Sequence, residues 1–265
     1  MFAIHSLCVS LFVSSLIVSA QALASDYHGE LEAVYAKDRS DYDGIFSQET
    51  RTQSIAGTYY FTPVDTQNKP LAEAAFLGEH SYISAGYIGY RESWTWTDEQ
   101  VRRASKGHTN SINARVYVPD TPLVLGYGDS FADDDHFATY MLGLAPIEGL
   151  LVYTYYWRED DIKSRTNLQA EYVKQLADEH AVRINASYTD APDGDKNAYG
   201  VSADYYFNRY WSAGFSLGRD STTTYGVNTR YFINEQWSLF AQYYTEDDKN
   251  VASYRTYGLG VAFRL

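Results

Sequence analysis

Eight ionisable residues recur between uncharged, mostly apolar neighbours: Glu30, Glu32, Glu171 and Asp204 on the acidic side, Arg115, Arg183, Arg230 and Arg264 on the basic side. A charge repeatedly framed by greasy residues one position away points to a wall with one wet and one apolar face. Acids facing arginines across an enclosed aqueous space set up a transverse field that orients polar solutes. The other possibility is that the two signs pair and fill the interior. Other chemistry is sparse. His136 follows Asp133-Asp134-Asp135, and an Asp–His pair at a rim can activate water. A solvated acidic stretch that attracts divalent cations explains the same residues more simply. Asp193-Gly194-Asp195 lacks the closing glutamate of a calcium loop. No local motif marks a nucleophile and base. The sequence therefore gives no catalytic residue, no cofactor site and no metal site, and the expectation is a protein that is not an enzyme.

The elements that hold the eight charges read as β-strands. From Tyr199 onward one pattern repeats four times: Tyr199, Val201, Ala203, Tyr205 and Phe207; Trp211, Ala213, Phe215 and Leu217; Tyr225, Val227, Thr229, Tyr231 and Ile233; Trp237, Leu239, Ala241 and Tyr243. Period two is the strand signature. Aromatics stand at the strand ends with smaller apolar residues between them. A sheet over a soluble core has no reason for that ordering, and the soluble sandwich is set aside on it. A wall in lipid does, because amphipathic rings favour the two membrane–water interfaces. The fold expected is all-β: a transmembrane antiparallel up-and-down barrel of about fourteen strands.

The remaining strands are expected near 26–36, 51–61, 80–90, 110–118, 122–129, 136–145, 149–158, 165–176, 181–189 and 254–265. Lipid-side residues would include Tyr27, Leu31, Ala33 and Tyr35 in the first, with His28, Glu30 and Glu32 inside. Leu151, Tyr153, Tyr155 and Trp157 would face lipid in the seventh, and Phe263 and Leu265 in the last. The third strand has no clean apolar parity. Connections at 119–122, 146–149, 208–210 and 233–236 are short. The others are longer and carry Asp41 and Asp43, Asp98 and Glu99, Asp133 to Asp135, Glu159 to Asp161, Asp190 to Asp195, Asp220, and Glu246 to Asp248. Short periplasmic turns with long outer loops, and an even strand count, put both termini in the periplasm. An acidic outer vestibule predicts a mild cation preference in dilute salt.

Residues 1–24 read as a removable export signal: Leu7 to Ala20 is uncharged and apolar, and Ala22-Leu23-Ala24 supplies the cleavage pattern. The barrel would then occupy 25–265, without the single cysteine, Cys8. Twenty-six tyrosines fit aromatic girdles, and a net charge of −13 argues against a nucleic-acid partner. Expected partners are outer-membrane lipid and lipopolysaccharide, with small hydrophilic solutes or ions in the lumen. The barrel would act as a monomer or weak homo-oligomer.

Thr58-Tyr59-Tyr60-Phe61-Thr62-Pro63-Val64-Asp65, followed by Lys69-Pro70-Leu71-Ala72-Glu73-Ala74-Ala75-Phe76-Leu77, resembles a stretch of the putative general bacterial porin family of Gram-negative bacteria. The resemblance implies an outer-membrane diffusion channel and carries no assigned catalytic or ligand residues. The rival functions are a barrel enzyme of the rim protease or lipase type, and a closed structural or adhesive barrel. Residues 71–77 are too long for a tight turn; a short helix or strand extension at the periplasmic mouth is expected, with a packed loop as the plainer alternative.

Overall fold

A computed structural model describes residues 26–42, 46–96, 102–132, 135–158, 166–176, 179–190, 197–220, 222–248 and 252–265. The export segment 1–24, Asp43, Asp98, Glu99, Asp133, Asp134, Glu159 to Asp161 and the Asp193-Gly194-Asp195 stretch lie outside them, as do the side chains of Asp135, Trp157, Asp247 and Asp248.

Fourteen strands close into one barrel, each paired antiparallel with its sequence neighbour. They are β1 (Asp26–Tyr42), β2 (Phe46–Asp65), β3 (Tyr82–Trp96), β4 (Arg102–Tyr117), β5 (Leu123–Ala132), β6 (Asp135–Ile147) and β7 (Leu150–Arg158). The ring continues with β8 (Thr166–Gln175), β9 (Ala181–Thr189), β10 (Ala198–Asn208), β11 (Trp211–Arg219), β12 (Thr223–Phe232), β13 (Trp237–Asp248) and β14 (Ala252–Arg264). Closure is by β1 on β14, where Leu31 lies opposite Phe263 and Tyr35 opposite Leu259. Closure leaves no strand edge unpaired, which is the condition for crossing lipid.

The alternation is borne out on most strands. Tyr199, Val201, Phe215, Leu217, Tyr225, Val227, Leu239 and Leu259 are exposed on the outer wall. Phe263 has the same parity, but the Trp237 ring covers it at 4.5 Å. Ser212, which the alternation would put in lumen water, is buried.

Two faces depart from expectation. In β1 the register shifts between Tyr27 and Gly29, so Tyr27 turns inward against Tyr60 and His28 turns outward to stack on Tyr59. Between Tyr27–Val64 and Gly29–Tyr59, β2 advances five residues against two of β1, and an odd surplus exchanges the faces on either side of it. In β7 the even residues face out, with Tyr156 exposed, while Leu151 and Tyr153 are buried inside. The run Leu150-Leu151-Val152-Tyr153-Thr154-Tyr155-Tyr156 is apolar or aromatic on both parities, so composition gives no sign of which face is wet.

The connections also differ from the short-and-long scheme. Strands β1 to β4 run well past the predicted ends, so Asp41 belongs to a strand and not to a long loop. The longest described connection is 66–81, at the end of the barrel that carries the termini. It contains a 3-10 turn (Leu71–Glu73) and a single-turn helix, α1 (Ala74–Leu77).

Candidate functional site: the lumen and its inward-folded turn

The segment 66–81 is rich in good helix formers, Leu71-Ala72-Glu73-Ala74-Ala75-Phe76-Leu77, entered through Pro70. A single helical turn has no stability of its own, so packing must hold it. Glu79 ends it in the left-handed region at φ 51°, where its N–H and that of His80 return to the carbonyls of Phe76 and Ala75. The His80 imidazole bonds Thr62 Oγ1 at 2.8 Å; burial, then the nearby Lys69 charge, holds it below the ordinary histidine range.

The turn folds into the barrel. Leu71, Ala74 and Val64 are completely buried, and Glu73 is 2% exposed. Ala74 joins Tyr27 and Val64 on one wall. Phe76 packs against the cluster of Val124, Met141, Leu151 and Tyr153 on another. Polar anchors come from farther round the ring. The Glu73 carboxylate takes Arg183 Nη1 of β9 at 3.1 Å and the Tyr206 hydroxyl of β10. Leu71 N–H donates to Arg209 O at 2.9 Å, Arg209 Nη2 to Thr66 O at 3.0 Å, and Gln175 Nε2 to Asn68 O. Arg264 Nη2 of β14 donates to Leu71 O at 2.8 Å. β2, which launches the turn, and β9, which receives Glu73, are seven strands apart in a ring of fourteen. The turn therefore crosses the mouth from one wall to the opposite one.

The eight sequence-selected charges fall into three groups. At the turn's end of the barrel, Arg264 Nε donates to Glu30 Oε2 at 2.7 Å, its guanidinium lying 4.4 Å from the Tyr27 ring and 4.7 Å from that of Phe232. Arg230 reaches from β12 to Glu32 on β1 at 2.8 Å and lies 4.6 Å from the Phe240 ring. Those strands are not neighbours, so both side chains face the interior. On β8 to β10, Arg183 joins Glu73 to Glu171, the latter at 2.7 Å, and Asp204 bonds Asn228. Arg115 stands apart: it lies 5.6 Å from the Tyr82 ring and 5.7 Å from that of Tyr153, bonds Tyr117, and has no carboxylate in contact among the described residues. Two cavities of about 400 and 420 Å³ share Gln169. Arg115 lines the first; Glu171 and Arg183 line the second.

Glu73 is the site residue that sequence reasoning missed. Its signal was available: one carboxylate inside an apolar run, which can be buried only against a cation. His136 is not part of this site. Its Nε2 lies 2.7 Å from Asp129 Oδ1, and Tyr127 donates to the same carboxylate at 2.9 Å. Phe131 is exposed on the outer wall, His136 stacks on it, and neither His136 nor Asp129 lines either cavity.

Residues 5–147 match the family described as putative general bacterial porin. Among solved structures, the barrel is similar to the outer membrane protein Omp33 of Acinetobacter baumannii, with a TM-score of 0.70 and 22% identity over 91% of this chain and 99% of that one. It is also similar to OccK7 (OpdD) of Pseudomonas aeruginosa, at 11% identity over 90% and 98% of the two chains and a TM-score of 0.48. A further neighbour is the translocator domain of the autotransporter NalP of Neisseria meningitidis, at 10% identity over 98% and 96% and a TM-score of 0.47. The fold comparison rests on the first of these; the other two backbones are too dissimilar to add to it. No curated protein matches the sequence.

Proposed function

From the premise that this chain belongs to the putative general bacterial porin family, a porin-type channel of the Gram-negative outer membrane, we propose that it passes small hydrophilic solutes and ions passively and that the turn 66–81 narrows and gates its periplasmic mouth. The observation that carries the reading is the crossing of the lumen by that turn, tied to the far wall through Glu73, Arg183 and Tyr206. A wall needs no such crossing for its own stability. The polar anchors span an aqueous space that water or solute would otherwise fill.

Solutes entering from outside would meet the two cavities before the turn, with Arg115, Glu171 and Arg183 at their walls. Arg115 is the group best suited to a passing anion, because rings and a hydroxyl satisfy it only in part. Glu30, Glu32, Arg230 and Arg264 would line the passage as neutralised pairs, and Asp204 as a hydrogen-bonded acid. A second reading draws on the same turn: a barrel sealed for good, serving as a structural element. Liposome swelling separates the two. Proteoliposomes should admit small sugars and amino acids and exclude larger oligosaccharides, with faster swelling when Glu73 is removed. No swelling from either form favours the sealed barrel.

A further inference from the structure

On the outer wall, past the aromatic belt, the first four strands carry cations where the rest of this acidic chain leads one to expect acid. One register row runs Lys37 opposite Arg51, Arg51 opposite Arg91, and Arg91 opposite Lys106, across β1, β2, β3 and β4. One step along, Arg39 of β1 lies opposite Arg255 of β14. All six share the outward parity of the exposed Tyr35, Tyr87 and Tyr257. Lys37 and Arg255 stand one outward position beyond Tyr35 and Tyr257; Arg91 stands two beyond Tyr87. Each such step climbs about 5 Å on a tilted strand, so the row sits roughly 5–10 Å above the belt.

Like charges directly opposite on paired strands repel. Two carboxylates relieve part of this. Glu49 lies 2.8 Å from Lys37 and 2.7 Å from Arg51, and Asp41 lies 3.1 Å from Arg39. Arg91, Lys106 and Arg255 have no ion pair among the described residues, and all three are exposed. With strands about 4.8 Å apart, the four-strand row is about 14 Å long. It is flat, outside the barrel, and at headgroup depth. A row of that shape fits an anion carrying more than one phosphate, and guanidinium forks suit phosphate oxygens.

We infer that this row docks the phosphorylated headgroup of the outer-leaflet lipid, the lipid A part of lipopolysaccharide, against the β1–β4 wall. The inference rests on the orientation in the proposed function, with the termini in the periplasm. A headgroup there bridges strands whose cations would otherwise repel, and it braces the hairpins that extend past the membrane. The lumen plays no part, so the channel and the docking surface are separable.

The test titrates purified barrel in detergent with bis-phosphorylated lipid A, dephosphorylated lipid A and inorganic phosphate. The wild type should bind the bis-phosphorylated lipid at least tenfold more tightly than the dephosphorylated one. Arg51→Gln, Arg91→Gln and Lys106→Gln combined should abolish that difference, with folding checked by heat-modifiable mobility. Glu49→Gln, which frees Lys37 and Arg51, should tighten binding and supplies the test even if the triple variant misfolds. Equal affinity for the two lipids overturns the inference, as does a difference that survives the triple substitution. Displacement of the lipid by inorganic phosphate at comparable concentration overturns the lipid assignment in favour of free phosphate. Conductance on the same samples keeps the readings apart: it should be unchanged in the triple variant, and a barrel that conducts without phosphate discrimination loses the docking inference alone.

Discussion

Glu73→Ala is expected to raise the open probability of the channel by roughly ten- to hundredfold while leaving its unitary conductance unchanged, because the untied turn still stands in and narrows the open mouth. The carboxylate is buried and takes hydrogen bonds from Arg183 and Tyr206, so its removal deletes the tie between the turn and the far wall. Breaking one partner out of a wholly buried ion pair costs about 3–5 kcal/mol. That range is too high here, because the Arg183 side chain is 32% exposed and keeps Glu171 as a second partner. A charged hydrogen bond, at about 1.5–3 kcal/mol, is the better guide, and about 1.4 kcal/mol is a factor of ten in an equilibrium. Glu73→Gln should fall between, since an amide oxygen still accepts from Tyr206 but no longer neutralises Arg183. Single-channel records in planar bilayers read both quantities. Equal open probability in the wild type and Glu73→Ala would show that the carboxylate does not hold the turn.

The second large effect concerns the lipid face. Ala203 lies mid-way along the outward row of β10, between Tyr199 and Phe207, with Phe215 of β11 opposite. Ala203→Arg should destabilise the barrel by about 2–4 kcal/mol, the cost of a guanidinium near the bilayer midplane. Ser202 is the next residue but lines a cavity and takes a hydrogen bond from Asn185 at 3.0 Å. Ser202→Arg should cost about 1 kcal/mol or less, mostly the lost hydrogen bond. Urea titration in lipid vesicles measures the difference. Equal costs would mean that the two faces of β10 are not separated into lipid and water.

What the sequence disclosed follows from where a face had to be apolar. Strands β9 to β12 meet lipid on one side and a mostly polar lumen on the other, so Val182, Ile184, Val201, Phe215 and Val227 alternate cleanly and their faces were legible. In β7 the lumen itself is aromatic, because Tyr153 and Tyr155 pack at 5.3 Å and Tyr153 flanks Arg115; alternation then carries no information. Past the membrane neither face needs to be apolar, so Lys37 to Tyr42 and Phe46 to Thr50 did not read as strand although they pair in register. The Tyr27–Gly29 bulge falls in a segment polar and aromatic on both parities. The eight charges could be picked out as single residues from their framing. Their partners were not, since Arg230 finds Glu32 and Arg183 finds Glu73 only through ring closure and an inward turn.

That inward turn is the central claim, and unitary conductance tests it most directly. Residues 67–79 would be replaced by a short linker between β2 and β3, leaving the strands and the lumen charges in place, with heat-modifiable mobility confirming the barrel. If the turn occludes the mouth, each open channel should carry several-fold more current than the wild type in the same salt, because the segment that crosses the full width of the ring is gone. The same unitary conductance with and without the segment would contradict the account.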